Sequence, residues 1–455
     1  MNLVFLISVV LKGLGAVMEV LLQILITSRL GVNGYGTYAA WISGADLIFW
    51  VCFSGLVKFN AFYLSGRDTA ITSFKRKYYL RYALPALSGA VLVALSLGQG
   101  ILPVFVPVIT MLELLVMDRS STLITLGKSM TSLMGEYVLG RLVLVTGVVV
   151  LGLLDRLDHA ALLLLYLFQY ILVLCFFLLR QGGGKSRQDI SGTVSLKKWG
   201  SYQRSDLMHA MIEQMPVVMQ YFFSGAFEAG VVSVVLLVKK LINFVYGPTA
   251  KIFLPEFSRL YHSGQLNRIS TVYGSIMRIQ MMVVGPMAVV LLGFPRVVLG
   301  ILAEELIQYE WLFMGCSVIF LLVATLGPCG GILQMTGNEK QDNRLRAWAL
   351  GLMAAVMMLT VKDPWFVLYG LCVQVSAEAV AKYVCICRWM KRAPVSLLTY
   401  CKWWLLPGAA IAVSYLMKAN DSFLMMLLLA GGVLAVSGLQ ELKNPENALV
   451  RKKKA

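Results

Sequence analysis

Charge is what this chain has least of. Only 14% of its 455 residues are Asp, Glu, Lys or Arg, against 58% hydrophobic residues. A soluble domain of this length covers its surface with far more polar side chains, so that class is excluded. Histidine is scarcer still, with three in the chain. The eight cysteines form no CxxC and no paired metal-ligand spacing. Cys385 and Cys387 stand too isolated to make a zinc site, and Cys52, Cys175 and Cys316 fall inside apolar runs, so all read as packing residues. There is no P-loop, no nucleophile elbow and no paired acidic motif with a metal site. Neither a resident metal nor a cofactor is expected. Basic residues outnumber acidic ones by 40 to 23. In a soluble protein the net charge of +17 would suggest nucleic acid.

What is present is apolar length. A membrane-spanning helix takes about 20 apolar residues, and about fourteen such helices fit on that rule. They begin near residues 3, 36, 79, 101, 136, 160, 206, 230, 275, 311, 345, 365, 403 and 422. Pro103 and Pro107 disturb the fourth, which Arg119 to Gly135 extends toward the cytoplasm in one reading. No Lys or Arg precedes the first apolar run and no small-residue cleavage pattern follows it, so it reads as a retained span. With a cytoplasmic N-terminus, the cytoplasmic segments are 57–81, 118–136, 180–206, 251–278, 337–346, 388–402 and 439–455. They carry 30 of the 40 Lys and Arg residues and 10 acids, while the opposite-side segments are net acidic. This positive-inside pattern accounts for the net charge without nucleic acid. It places both termini in the cytoplasm and the chain in a plasma (inner) membrane.

The expected fold class is all-α: a polytopic membrane protein with two pseudo-repeated helical bundles around a central cavity. The expected divisions are residues 1–180 (helices one to six), a basic linker at 181–205, residues 206–390 (helices seven to twelve), and 391–455 (two further helices and a basic tail). Lys197–Tyr202, with Trp199, reads as a surface segment.

The charges left inside spans are the candidates for function, because each costs roughly 2.5–3.5 kcal/mol on insertion scales and normally faces a cavity or a partner. Lys12, Glu19 and Gln23 share one face of the first helix. The seventh carries His209, Glu213, Pro216 and Gln220, and a shift of 197 residues aligns Lys12 with His209, Glu19 with Pro216 and Gln23 with Gln220. Lys12, Lys239 and Lys240 form the candidate cationic site for an anion such as pyrophosphate. Lys239 and Lys240 are adjacent and point about 100° apart, so at most one aims squarely into a cavity. Glu19, Asp46, His209 and Glu213 are either counter-charges or carriers of a coupling H+ or Na+. Pro216 is either a moving hinge or a static kink, and Gln23 and Gln220 line the same polar stripes. Glu378 and Lys382, four apart in acid-first order, predict an internal salt bridge. Arg141 and Glu113 predict snorkelling to a boundary.

Three stretches carry a resemblance. LGVNGYGTYAAW at Leu30–Trp41 resembles the loop after the first helix of Wzx-type polysaccharide flippases. LPEFSRLYHSG at Leu254–Gly264 looks like their "P-x-x-S" exit from the eighth helix, and LQMTGNEK at Leu333–Lys340 is similar to the exit from the tenth. The resemblance implies the multidrug/oligosaccharidyl-lipid/polysaccharide exporter superfamily. It further implies a polyprenyl-pyrophosphate-linked oligosaccharide moved from inner to outer leaflet for cell-surface polysaccharide such as O-antigen or capsule, with polymerase or assembly proteins as partners beside membrane lipids. Lys240–Leu241 matches a basic residue followed by Leu that lies in the cavity of lipid II flippases. Basic residues in the first helix are fewer than in those flippases, which argues for another glycolipid. A drug/cation antiporter of the same superfamily is the second reading, although three span lysines oppose a cationic substrate. A membrane glycan polymerase or ligase is the third; it needs a sizeable external loop, and the longest one (about Pro295 to Trp311) is short.

Overall fold

The computed structural model describes residues 3–53, 105–125, 128–180, 196–419 and 421–442. Throughout them the regular structure is helical, with no strand. This is what hydrocarbon demands, since a helix satisfies its own backbone polar groups without water. Six described segments are long and apolar enough to cross a bilayer, among them His159–Arg180, Arg268–Gly293 and Glu304–Met335. The protein is a multi-pass membrane protein. The span expected near residue 79, most of the central linker (181–195) and the tail from 443 lie outside the described residues.

Helix α1 (Leu3–Phe53) contains the first two expected spans. They are separated by Gly31, whose φ of 70° and ψ of 175° break the helical path, a backbone state that glycine adopts without a Cβ penalty. Helix α2 (Phe105–Thr125) carries Pro107 near its first described residue and runs through Arg119 as far as Thr125, taking in the first part of the Arg119–Gly135 stretch. Ser129–Leu133, a π-turn at Met134–Leu139 and Gly140–Leu153 run on as one helix, α3. It begins ahead of the expected position near 136. Helices α4 (His159–Arg180) and α5 (Leu196–Phe223) follow. Lys197–Tyr202 forms the first turns of α5, which continues through Pro216.

The remaining helices are α6 (Ala226–His262), α7 (Leu266–Ala288, continued by a π-turn at Val289–Gly293), α8 (Pro295–Leu302), α9 (Glu310–Thr325), α10 (Cys329–Met335), α11 (Glu339–Leu359), α12 (Phe366–Met390), α13 (Leu397–Leu416) and α14 (Phe423–Leu442). The chain divides into two compact units, Met1–Ser233 and Val234–Ala455.

In the first unit α5 packs along α1, and α4 packs on α2 and α3. The closest approach is between Gly36 of α1 and the start of α6. A Cβ on Gly36 would collide with the Ala226 carbonyl and stand 2.6 Å from the Gly230 nitrogen, and one on Gly230 would stand 2.9 Å from Val32 Cγ1. Tyr35, Trp41 and Phe49 are buried, so these aromatics pack within the unit. In the second unit Phe257, Tyr273, Ile276, Ile332, Leu333 and Ile386 form one core. There the tenth span is interrupted between α9 and α10 at Gly327–Pro328. Tyr273 donates its hydroxyl to the Leu326 carbonyl at 2.5 Å, which satisfies an acceptor that the helix end leaves open.

Gly36→Val forces a branched side chain against backbone, where no rotamer change relieves the clash. Overpacking of this kind costs about 1–3 kcal/mol or more. The variant is expected to lose several degrees of thermal stability in detergent. Gly408→Ala, at a position with nothing within 4 Å, is expected to leave the melting temperature unchanged.

Candidate functional site

Several ionisable side chains inside the helices are gathered into two clusters, one in each unit. In the first unit, the Arg141 guanidinium of α3 meets the Glu19 carboxylate of α1 at 2.8 Å, with both side chains partly buried. Arg141 therefore does not snorkel to a boundary as expected. Ion pairing inside the unit removes the cost of leaving the guanidinium in lipid. Asp46, further along α1, accepts a hydrogen bond from Gln214 Nε2 of α5 at 3.1 Å. Glu113 of α2 lies within electrostatic reach of Asp46. Glu113 is 4% exposed, so it too does not reach for a boundary.

Tyr166 of α4 lies within electrostatic reach of Glu19, Asp46, Glu113 and Arg141. It is hydrogen-bonded to Tyr170 and stands edge-on to Tyr38 with ring centroids 6.2 Å apart. Among the described residues the cluster draws on five helices, with Glu19, Asp46, Glu113 and Arg141 as its charged members.

The second unit holds a balanced cluster. Lys382 Nζ of α12 lies 2.5 Å from Asp342 Oδ1 of α11 and 2.5 Å from Glu378 Oε1, one turn back on its own helix. Arg346 Nε donates to Glu378 Oε1 at 3.2 Å, and Arg346 also faces Asp342 at 3.8 Å. Gln334 Nε2 donates to Asp342 Oδ2 at 2.8 Å, and Gln374 Nε2 to Glu378 Oε2 at 2.5 Å. The expected Glu378–Lys382 bridge is present, as part of a larger tetrad. Asp342 and Arg346, which read as residues of a cytoplasmic connection, belong instead to α11. Asp342 is fully buried there. Gly330 of α10 makes room for the charges, since a Cβ on it would stand 3.0 Å from Asp342 Oδ1 and 3.2 Å from Lys382 Nζ. Two cations and two carboxylates leave no net charge to offer a ligand, so the tetrad is a structural fastening.

The candidate substrate residues fall as follows. Lys12 lies in α1 of the first unit, and Lys239 and Lys240 lie in α6 within the second. Lys239 is buried and Lys240 exposed, so the adjacent pair does present its two ammonium groups to different surroundings. On α5, His209 is exposed, Glu213 partly buried, and Pro216 and Gln220 buried; Gln23 of α1 is also buried. Of these residues, the structure draws Glu19 and Asp46 into the acid-rich cluster. Sequence reading missed Glu113, Arg141 and Gln214 as its members. The available signal was burial cost: a lone acid and a lone base in different apolar helices implied partners, though not which.

No family model matches the sequence, and no curated protein matches it. Solved structures do match. The structure described as lipid II flippase MurJ, inward closed conformation, superposes with a TM-score of 0.65 at 12% identity, covering 96% of this chain and 98% of that one. An inward-facing multidrug resistance MATE family transporter of the MOP superfamily gives a TM-score of 0.63 at 11% identity over 83% of this chain and 94% of that one. A MOP superfamily transporter from Pyrococcus furiosus, whose binding pocket is described as reversed in polarity, gives 0.58 at 11% identity, over 85% and 94%.

Lys382→Met is expected to destabilise the protein by about 3–5 kcal/mol, because it strands a buried carboxylate. Adding Asp342→Asn to the same chain is expected to recover most of that loss. Thermal unfolding of the two variants side by side measures the difference. The chain has the all-helical polytopic fold shared by MATE-type transporters and MurJ-type flippases.

Proposed function

We propose that the protein is a flippase that carries a polyprenyl-pyrophosphate-linked oligosaccharide from the cytoplasmic to the outer leaflet by alternating access, for cell-surface polysaccharide assembly. The observation that carries the reading is the extent of the fold match. The lipid II flippase superposes on 96% of this chain, whereas the multidrug transporter superposes on 83%. Cationic residues in the spans support it: Lys12 and Lys240, with Lys239, are assigned to the pyrophosphate, an anion that a low-dielectric pocket binds strongly. The polyprenyl chain stays in lipid while the two helical bundles rock around the head group, as repeat-built transporters do. The Asp46–Glu113 pair is assigned to coupling, taking and releasing one proton per cycle, with Glu19 held as the counter-charge of Arg141. His209 and Glu213 keep their place as further coupling candidates on α5. The membrane is a plasma membrane and both termini are cytoplasmic in this reading.

A second reading rests on the same acid-rich cluster. Three acids around one guanidinium, lined by tyrosines, would suit a cationic drug in exchange for H+ or Na+.

The test is translocation of a fluorescent polyprenyl-pyrophosphate glycan in proteoliposomes. Lys12→Ala and Lys240→Ala are each expected to slow it on the order of tenfold, given roughly 1.4 kcal/mol per tenfold in binding, with folding intact. Full rates in both variants would remove the cationic site while leaving the flippase reading standing. Glu113→Gln is expected to retain basal translocation and lose its response to an imposed proton gradient. A wild-type protein that expels a cationic dye and moves no glycolipid would replace the flippase with the antiporter.

A further inference from the structure

A feature that none of this uses lies in the second unit, between α7, α13 and α14. There a cavity of about 390 Å³ is lined by Arg278 of α7, Lys402 and Trp403 of α13, and Ser437 and Gln440 of α14. Its remaining walls are apolar, chiefly methionine and leucine side chains and Pro407, and none of its lining residues is acidic. The three helices are pinned together at one level. Gly285 of α7 lies where a Cβ would stand 3.1 Å from Pro407 and 3.6 Å from Val433. Beyond it, Val289, Phe294, Ala410, Met426 and Val433 form a small core, and Ser414 and Tyr415 donate to the carbonyls of Gly293 and Leu292 at 3.2 and 3.0 Å. On the other side of Gly285 the helices part, and the cavity opens.

Its position identifies what it meets. Lys402 and Trp403 are five and six residues from the start of α13, and Ser437 and Gln440 are five and two residues from the end of α14. At 1.5 Å per residue, all four sit within about 9 Å of the helix ends, the depth of lipid head groups. Arg278 is about 18 Å into α7 by the same measure, and a guanidinium on a long stem extends toward a boundary. The turn leading into α13 adds exposed Lys391 and Arg392, and the sequence after α14 ends in RKKKA.

We propose that this cavity binds an anionic glycerophospholipid of the surrounding bilayer. Arg278 and Lys402 take the phosphodiester, Ser437 and Gln440 bond the head-group hydroxyls, and the Trp403 indole lies at the glycerol level. Basic pockets between membrane helices are suited to phosphate head groups, and indole is enriched at that depth. The volume accepts a head group and the first part of the acyl chains, with the rest of the chains along the exposed flank of Leu405. The bound lipid ties α13 and α14 to α7 at the end that the apolar core does not reach. The inference requires a membrane protein and does not depend on which substrate is carried.

Lipid retention by the full-length protein, released from detergent and weighed with its adducts by native mass spectrometry, tests this with phosphatidylglycerol and phosphatidylcholine as probes. Wild type is expected to retain phosphatidylglycerol in preference. Arg278→Gln with Lys402→Gln is expected to reduce that retention roughly fivefold per charge removed, while Arg278→Lys with Lys402→Arg keeps it. Lys402→Gln alone, at an exposed position, is expected to show a roughly fivefold loss if the double variant fails to fold. Binding by linkage raises stability, so phosphatidylglycerol is expected to raise the melting temperature of wild type and not of the double variant. Equal retention of the two lipids by wild type, or undiminished phosphatidylglycerol in the glutamine variants, would overturn the proposal. So would displacement of phosphatidylglycerol by a polyprenyl diphosphate at equal concentration, which would hand the cavity to the transported lipid.

Discussion

An ionised side chain in hydrocarbon must find a partner of its own, because no water is there to stabilise it. Much of this protein's internal organisation follows from that constraint. Lys382 and Arg346 each face both Asp342 and Glu378, and Arg141 faces Glu19. Helices whose outer surfaces are uniformly greasy have no hydrophobic reason to choose one neighbour over another in lipid. Charge pairing and close approach supply the choice instead. Gly36 and Gly330 illustrate the second device, each admitting a partner to where a methyl group would stand.

The two clusters differ in composition. In the second unit two cations face two carboxylates, and Gln334 and Gln374 donate to those carboxylates, so α10, α11 and α12 are held by one network. In the first unit the Arg141–Glu19 pair links α3 to α1, and Gln214 of α5 donates to Asp46 of α1. Helices α1 and α5 also carry the polar stripes of Lys12–Gln23 and His209–Gln220.

Much of the fold was legible because bilayer thickness sets a length and hydropathy reads it directly. The starts of α4, α12 and α14 lie within a residue of those read from apolar runs, whereas α13 begins six residues ahead of the expected position near 403. Where reading failed, the cause was local. Asp342 and Arg346 looked like loop charges because sequence shows their polarity and not the partners waiting on α12. The Glu378–Lys382 pair was legible, being one turn apart on a single helix. Glu113 and Asp46 were not, since their proximity depends on how α2 crosses α1. Spacing along a chain reveals neighbours on the same helix and is silent about neighbours across a groove.

The π-turn at Met134–Leu139 illustrates that last point in a different way. A π-turn admits one extra residue to a helix, so everything after it is rotated by about 100° relative to an uninterrupted α-helix. Arg141 lies just downstream, and its alignment with Glu19 is therefore set by residue number as much as by residue type. Deleting any one residue of the turn would leave the hydropathy of the span nearly the same, while swinging the guanidinium away from its carboxylate and toward acyl chains. Length in this segment is as much a part of the charge pattern as the charges themselves.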